Sequence, residues 1–287
     1  MTGQLILSAA PPFRTDDPYR DMASRLNAMG YSGVMMGWSR DWSDEYIKEI
    51  RSIFEDAGIG IHEVGAYCNL AHRDENVRRN NVDDARAAIA VAEKLSCSNV
   101  ASVVGSPAAV QDIHWALEPE TYSQRTWDLI RKILAEIVSF TEGTNVKFLI
   151  EPYMLTCMNS PQAIRKMIEE VGHPNLGVLM DVVNLIRFEH YLDTGAFIDE
   201  CFDVLGDFIH LCHAKDILCD PHNDLLTFKE VTPGDGVMDY GSFIRNIVGL
   251  DRPVPLMVEH LAEDSELVRA HNYICEQAGA VGVKVLS

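Results

Sequence analysis

The sequence predicts an α/β protein, a single (β/α)8 barrel in which eight parallel strands alternate with eight helices and residues 1–287 form one domain. Three observations predict it. Short apolar runs alternate with amphipathic stretches of three-to-four spacing along the whole chain. The runs are almost continuously apolar, as strands covered on both faces are. Four of them close on a residue able to bind a divalent cation, each 30 to 46 residues beyond the last: Phe148-Leu149-Ile150-Glu151, Val178-Leu179-Met180-Asp181, Ile209-His210-Leu211-Cys212-His213 and Leu256-Met257-Val258-Glu259. Strand ends of successive βα units gather on one rim of a barrel, where a site can be assembled. A doubly wound open sheet is the alternative for such alternation, but no G-x-G-x-x-G turn follows the first run.

The elements follow in order. Leu5 to Ser8 is the first strand, and a Pro11-Pro12 loop leads to a helix over 17–29 through Met22, Leu26 and Met29, stopped by Gly30. Gly33 to Gly37 is the second strand. The second helix, 44–57, puts Tyr46, Ile47, Ile50 and Phe54 on one face and ends at Gly58. Strand three is Ile59 to Gly65, and a long helix over 75–95 repeats Val82, Ala85, Ile89 and Ala92 at helical spacing. Asn99 to Val104 is strand four, Gly105 to Pro119 a loop, and 122–142 a helix leading to the strand that ends at Glu151. Ser160 is placed to cap the fifth helix and Pro161 stands at its first turn, the position proline tolerates best. Leu176 to Asp181, a helix over 196–205, and Phe208 to His213 continue the pattern. A long loop over 218–238 carries Pro233-Gly234-Asp235-Gly236. A helix from Tyr240, a strand over 255–259 and a helix from Asp264 complete it.

Composition narrows the partners. A chain of 287 residues with 47% apolar content can bury a large core. Its formal charge of −19 opposes a polyphosphate backbone, so a small molecule rather than nucleic acid is expected. Seven scattered cysteines without a C-x-x-C pair suggest neither a disulfide framework nor a zinc knuckle and fit a reducing, cytoplasmic compartment. Residues 1–10 read as a strand rather than a signal peptide, and no apolar run reaches membrane-spanning length.

Glu151, Asp181, His213 and Glu259 are the candidate metal ligands. Taken singly, each has an ordinary structural explanation, as a loop anchor, an Asx turn or a hydrogen-bonded histidine. Their joint occurrence at four successive strand ends favours a site. Three carboxylates and one imidazole suit Mn2+, Mg2+ or Co2+, and the lack of cysteine argues against structural zinc. His210, three residues before His213, is expected to pack on the other side of its strand.

Glu151-Pro152-Tyr153, Asn175 to Asp181, His213-Ala214-Lys215-Asp216, Pro233 to Gly236 with Asp239-Tyr240, and Val258-Glu259-His260 together carry a resemblance over nearly the whole chain. The chain resembles the xylose-isomerase-like sugar phosphate isomerase/epimerase superfamily of TIM barrels. The resemblance implies a metal, usually Mn2+, held by Glu151, Asp181, His213 and Glu259. Through the ketose 3-epimerases it also implies that Glu151 and Glu259 exchange protons with a substrate carbon. Their strands lie three steps apart around a barrel, so the two would approach a central sugar from different sides. Lys215, His62, Asn184 and Arg187 are further candidate substrate contacts. Ketose 3-epimerases commonly carry a histidine where this chain has Asn184, and an arginine a few residues after the metal histidine, where it has Leu218, Cys219 and Asp220. These departures leave the cage intact and the sugar open.

The expected function is therefore metal-dependent epimerisation or isomerisation of an unphosphorylated ketose or related sugar acid. The alternative is a lyase on an oxo-sugar, a decarboxylase or a C-glycoside-cleaving subunit using the same ligands. A DNA-repair endonuclease of this superfamily would need more histidines and a basic face. Relatives often form dimers or tetramers, and homo-oligomerisation is an expectation of the resemblance alone.

Overall fold

The computed structural model describes residues 3–15, 18–107, 115–220, 222 and 227–286. Eight parallel strands form the barrel: β1 (Gln4–Ala9), β2 (Gly33–Met36), β3 (Gly60–Gly65), β4 (Asn99–Ser102), β5 (Lys147–Ile150), β6 (Leu176–Met180), β7 (Ile209–Ala214) and β10 (Pro255–Val258). Each pairs with the next, and β10 returns to β1 with Leu7 opposite Leu256, which closes the cylinder and leaves no barrel edge unpaired.

The helices between them are α1 (Pro18–Met29), α2 (Asp44–Asp56), α3 (Glu75–Lys94), α4 (Gln124–Ser139), α5 (Pro161–Val171), α6 (Phe188–Tyr191), α7 (Thr194–Leu205), α8 (Tyr240–Gly249) and α9 (Asp264–Ala280). Ser43, Asp74, Ser123, Ser160, Asp193 and Asp239 each accept a backbone N–H from the first turn of the helix that follows. Pro161 opens α5, and Gly172 ends it in the left-handed conformation. The loop expected over 105–119 lies partly outside the described residues.

Besides the short helix α6, which the sequence reading did not anticipate, two strand features depart from it. The expected loop over 218–238 contains an antiparallel hairpin, β8 (Asp216–Cys219) with β9 (Phe228–Val231). A short strand, β11 (Lys284–Leu286), pairs with the start of β1 outside the eight-strand closure.

The interior is layered. Ala101, Leu149, Leu179 and Leu211, from β4 to β7, form a buried cluster separate from the larger core between strands and helices. Side chains two apart on a strand share a face. Glu151, Asp181 and His213 stand two residues beyond Leu149, Leu179 and Leu211, so this apolar layer is the floor from which three of the candidate ligands rise. Met257, fully buried, precedes Glu259 by the same step.

Candidate metal centre

Glu151, Asp181, His213 and Glu259 converge: one ligand atom from each lies within 4.8 Å of all the others, and all four residues are buried. His213 Nδ1 stands 2.8 Å from Glu259 Oε1, 3.7 Å from Glu151 Oε1 and 3.8 Å from Asp181 Oδ2. Asp181 Oδ2, His213 Nδ1 and Glu259 Oε1 are buried and make no well-directed hydrogen bond among the described residues, although all three lie in ion-pair contacts. Three buried carboxylates and an imidazole crowded together are costly unless positive charge lies among them, and their converging ligand atoms form a place a cation could share with the Lys215 ammonium. The donor set of carboxylate oxygens and one imidazole nitrogen fits a divalent ion of the Mn2+ or Mg2+ type.

Lys215 supplies positive charge beside this point. Its Nζ stands 2.7 Å from Asp181 Oδ2, 2.7 Å from Glu259 Oε1 and 3.9 Å from Glu151 Oε1. Burial opposes its charge, but the surrounding carboxylates outweigh burial and hold the ammonium protonated far above the usual lysine range. Burial likewise opposes the charge on Glu259, yet His213 and Lys215 pull its carboxyl well below the ordinary range. Burial prevails at Glu151 and raises it. The two glutamates therefore differ in electrostatic setting.

The remaining candidates fall in three places. The Asn184 side chain donates to Glu151 Oε1 at 2.8 Å while its backbone N–H donates to Asp181 Oδ1 at 3.1 Å, so it ties two of the carboxylates together. Arg187 is exposed, donates to the Asn159 carbonyl and does not line the cavity. His62 lies below the cluster, its Nδ1 2.7 Å from Ser8 Oγ, with its ring over Gly33 and Gly60, and it does not line the cavity either.

Sequence reasoning missed Glu63, the neighbour of His62. The pairing of β2 with β3 steps from Val34↔Ile61 to Met35↔Glu63, which leaves His62 unopposed and lets Glu63 face inward as well. Glu63 is fully buried and its Oε2 lies 3.0 Å from His213 Nε2. A carboxylate inside a strand was the available signal, and the bulge hides it because alternation assigns adjacent residues to opposite faces.

A cavity of about 500 Å3 opens over the cluster, bounded on its polar side by Glu151, Asn184, Lys215 and Glu259. Trp115 and Tyr153, with ring centroids 4.5 Å apart, form an aromatic wall. His260, at φ 60°, takes the left-handed conformation directly after Glu259, and its Nδ1 lies 2.9 Å from Glu230 Oε1 on β9, which ties the hairpin to the cavity mouth.

Solved structures resemble this chain closely in shape and distantly in sequence. A xylose isomerase-like TIM barrel protein from Mycobacterium smegmatis, in complex with magnesium, superposes with a TM-score of 0.73 at 18% identity, covering 99% of this chain and 98% of that one. D-psicose 3-epimerase with D-tagatose from Clostridium cellulolyticum H10 gives 0.70 at 15%, covering 96% and 100%. The 3-keto-D-glucoside 4-epimerase of E. coli, apo form, gives 0.72 at 12%, covering 96% and 100%. At such identities the shared property is the fold. No protein of curated function matches the sequence. Residues 23–283 match a sequence family as well as a shape, and with nearly the whole barrel inside that match the chain belongs to the xylose isomerase-like TIM barrel family.

Proposed function

We propose that this chain is a divalent-metal-dependent epimerase or isomerase of a ketose or related sugar acid, and that Glu151, Asp181, His213 and Glu259 hold the ion, most suitably Mn2+. The observation that carries this reading is the convergence of four buried ligand residues, two of them glutamates from strands three steps apart around the barrel. The solved epimerases of the same shape support it.

An ion held by these four residues would supply positive charge to offset the negative charge that develops on the substrate as a proton leaves. Glu259 and Glu151 do the proton work: one takes the proton from the carbon beside the carbonyl, and the other returns it to the opposite face. Asn184 keeps Glu151 from turning away by donating to its Oε1. Lys215 adds a fixed ammonium beside the same carboxylates and faces the cavity, where it can donate to a substrate oxygen. Trp115 and Tyr153 offer ring faces to the less polar face of a sugar.

The test is incubation of the Mn2+-loaded protein with candidate ketoses in deuterated water. Deuterium at a retained substrate carbon is the expected result, and Glu151→Gln and Glu259→Gln should each cut turnover at least about 100-fold while leaving a folded barrel, as expected for an acid–base group. Full activity in both variants would refute the assignment. Release of CO2 or an aglycone without exchange would replace isomerisation by lyase chemistry.

A further inference from the structure

Glu63 lies outside the group of four converging residues, yet it is built into the same centre. Its side chain and that of His213 have no solvent exposure, with Glu63 Oε2 3.0 Å from His213 Nε2. Its second oxygen accepts the Tyr67 hydroxyl at 3.0 Å. Burial, with the charges of Glu151 and Glu63 added, holds the Tyr67 phenol well above its usual range, so the phenol remains the donor. With the Tyr67 hydroxyl donating to Oε1, the Glu63 carboxyl presents Oε2 as an acceptor to the facing edge of the imidazole, which assigns the hydrogen there to Nε2. The Nδ1 edge then turns toward Glu151, Asp181 and Glu259. At 2.8 Å from a carboxylate oxygen, Nδ1 carries a second ring hydrogen when no ion is bound, and with its lone pair free it needs a cation between the two.

We propose that Glu63 is a positioning residue of the metal centre. It holds His213 in the Nε2–H form with Nδ1 aimed at a divalent cation, and Tyr67 fixes Glu63 in turn. The inference rests on the metal-dependent reading given above. An imidazole that must bind through one nitrogen is oriented by the partner of the other, and loss of such a partner weakens metal binding by about 10- to 100-fold. Tyr67 also lines the cavity, so the series Tyr67, Glu63, His213 joins the cavity wall to the ion site. A merely structural role, a buried ion pair with a protonated His213, predicts an effect on stability and none on cation affinity.

The experiment measures Mn2+ binding to the full-length chain from the EPR signal of the free ion, in wild type, Glu63→Gln, Tyr67→Phe and His213→Gln. Circular dichroism checks each fold. Wild type should bind Mn2+ and His213→Gln should lose it. Glu63→Gln should bind about 10- to 100-fold more weakly, and Tyr67→Phe should show a smaller loss. The 15N shifts of His213 in the Mg2+-loaded wild type should report hydrogen on Nε2. Binding that depends on His213 but is equal in wild type and Glu63→Gln overturns this inference alone. An absence of Mn2+ binding in wild type overturns the metal-dependent reading with it. If Glu63→Gln does not fold, unchanged affinity in Tyr67→Phe or hydrogen on Nδ1 in the loaded wild type overturns it.

Discussion

His62 is a histidine whose environment refuses a proton. Burial over Gly33 and Gly60 lowers its pKa to about 4, and Ser8 is its hydrogen-bond partner. The unfolded chain takes up that proton near pH 6.5, the folded chain only near pH 4, so between these values the unfolded state binds more protons and stability falls as pH falls. By pH 5 the loss from this residue is about 2 kcal/mol. Urea unfolding at pH 7 and pH 5 should show wild type losing about that much more than His62→Asn, and equal losses would refute the assignment. The residue scale also shows what could be read in advance. Glu151, Asp181, His213 and Glu259 were legible because each ends an apolar run, where strand periodicity and barrel geometry together give a direction. Glu63 was not, because a bulge breaks the period on which such reading depends.

Among the elements, helices were easier to read than the long βα connection after β7. Their starts carry a local chemical signal, such as Ser160 followed by Pro161. The β8–β9 hairpin carries none, since its strands are short and their pairing is closed from a distance. Asp216 does much of that closing. Its carboxylate accepts the backbone N–H groups of Ile217, Gly234, Gly236 and Met238 at 2.9 to 3.1 Å. The two glycines have separate reasons: Gly234 sits at φ 99°, and a Cβ on Gly236 would lie 2.2 Å from Asp216 Oδ1. The motifs His213 to Asp216 and Pro233 to Gly236, far apart in the chain, are thus two halves of one turn. Replacing Asp216 by Ala strands these donors, and with an unsatisfied buried group costing about 1 to 3 kcal/mol, the variant should lose roughly 3 kcal/mol even after water recovers some of them. Hydrogen exchange should quicken first at Gly234, Gly236 and Met238. Protection there equal to wild type would show that Asp216 does not hold the turn.

At the scale of the whole molecule, closure of the barrel sets a charge problem that the strands alone do not solve. The pairing of β10 with β1 brings Glu259 to the rim already occupied by Glu151, Asp181 and Glu63, four buried carboxylates against Lys215 and His213, in a chain whose net charge is already −19. Each buried charge without full compensation costs several kcal/mol. A cation that binds the assembled rim but not the open chain, where these residues are scattered over about two hundred positions, must therefore stabilise the fold by linkage. At a Mn2+ concentration one hundred times its Kd the gain is about 2.7 kcal/mol, which for a chain of this size raises Tm by roughly 4 to 5 °C. EDTA should reverse the rise, NaCl at matched ionic strength should not reproduce it, and Asp181→Asn should remove most of it. An equal rise in Asp181→Asn, or with NaCl, would place the stabilising ions on the acidic surface and not at the rim, because diffuse screening needs no particular carboxylate whereas coordination does.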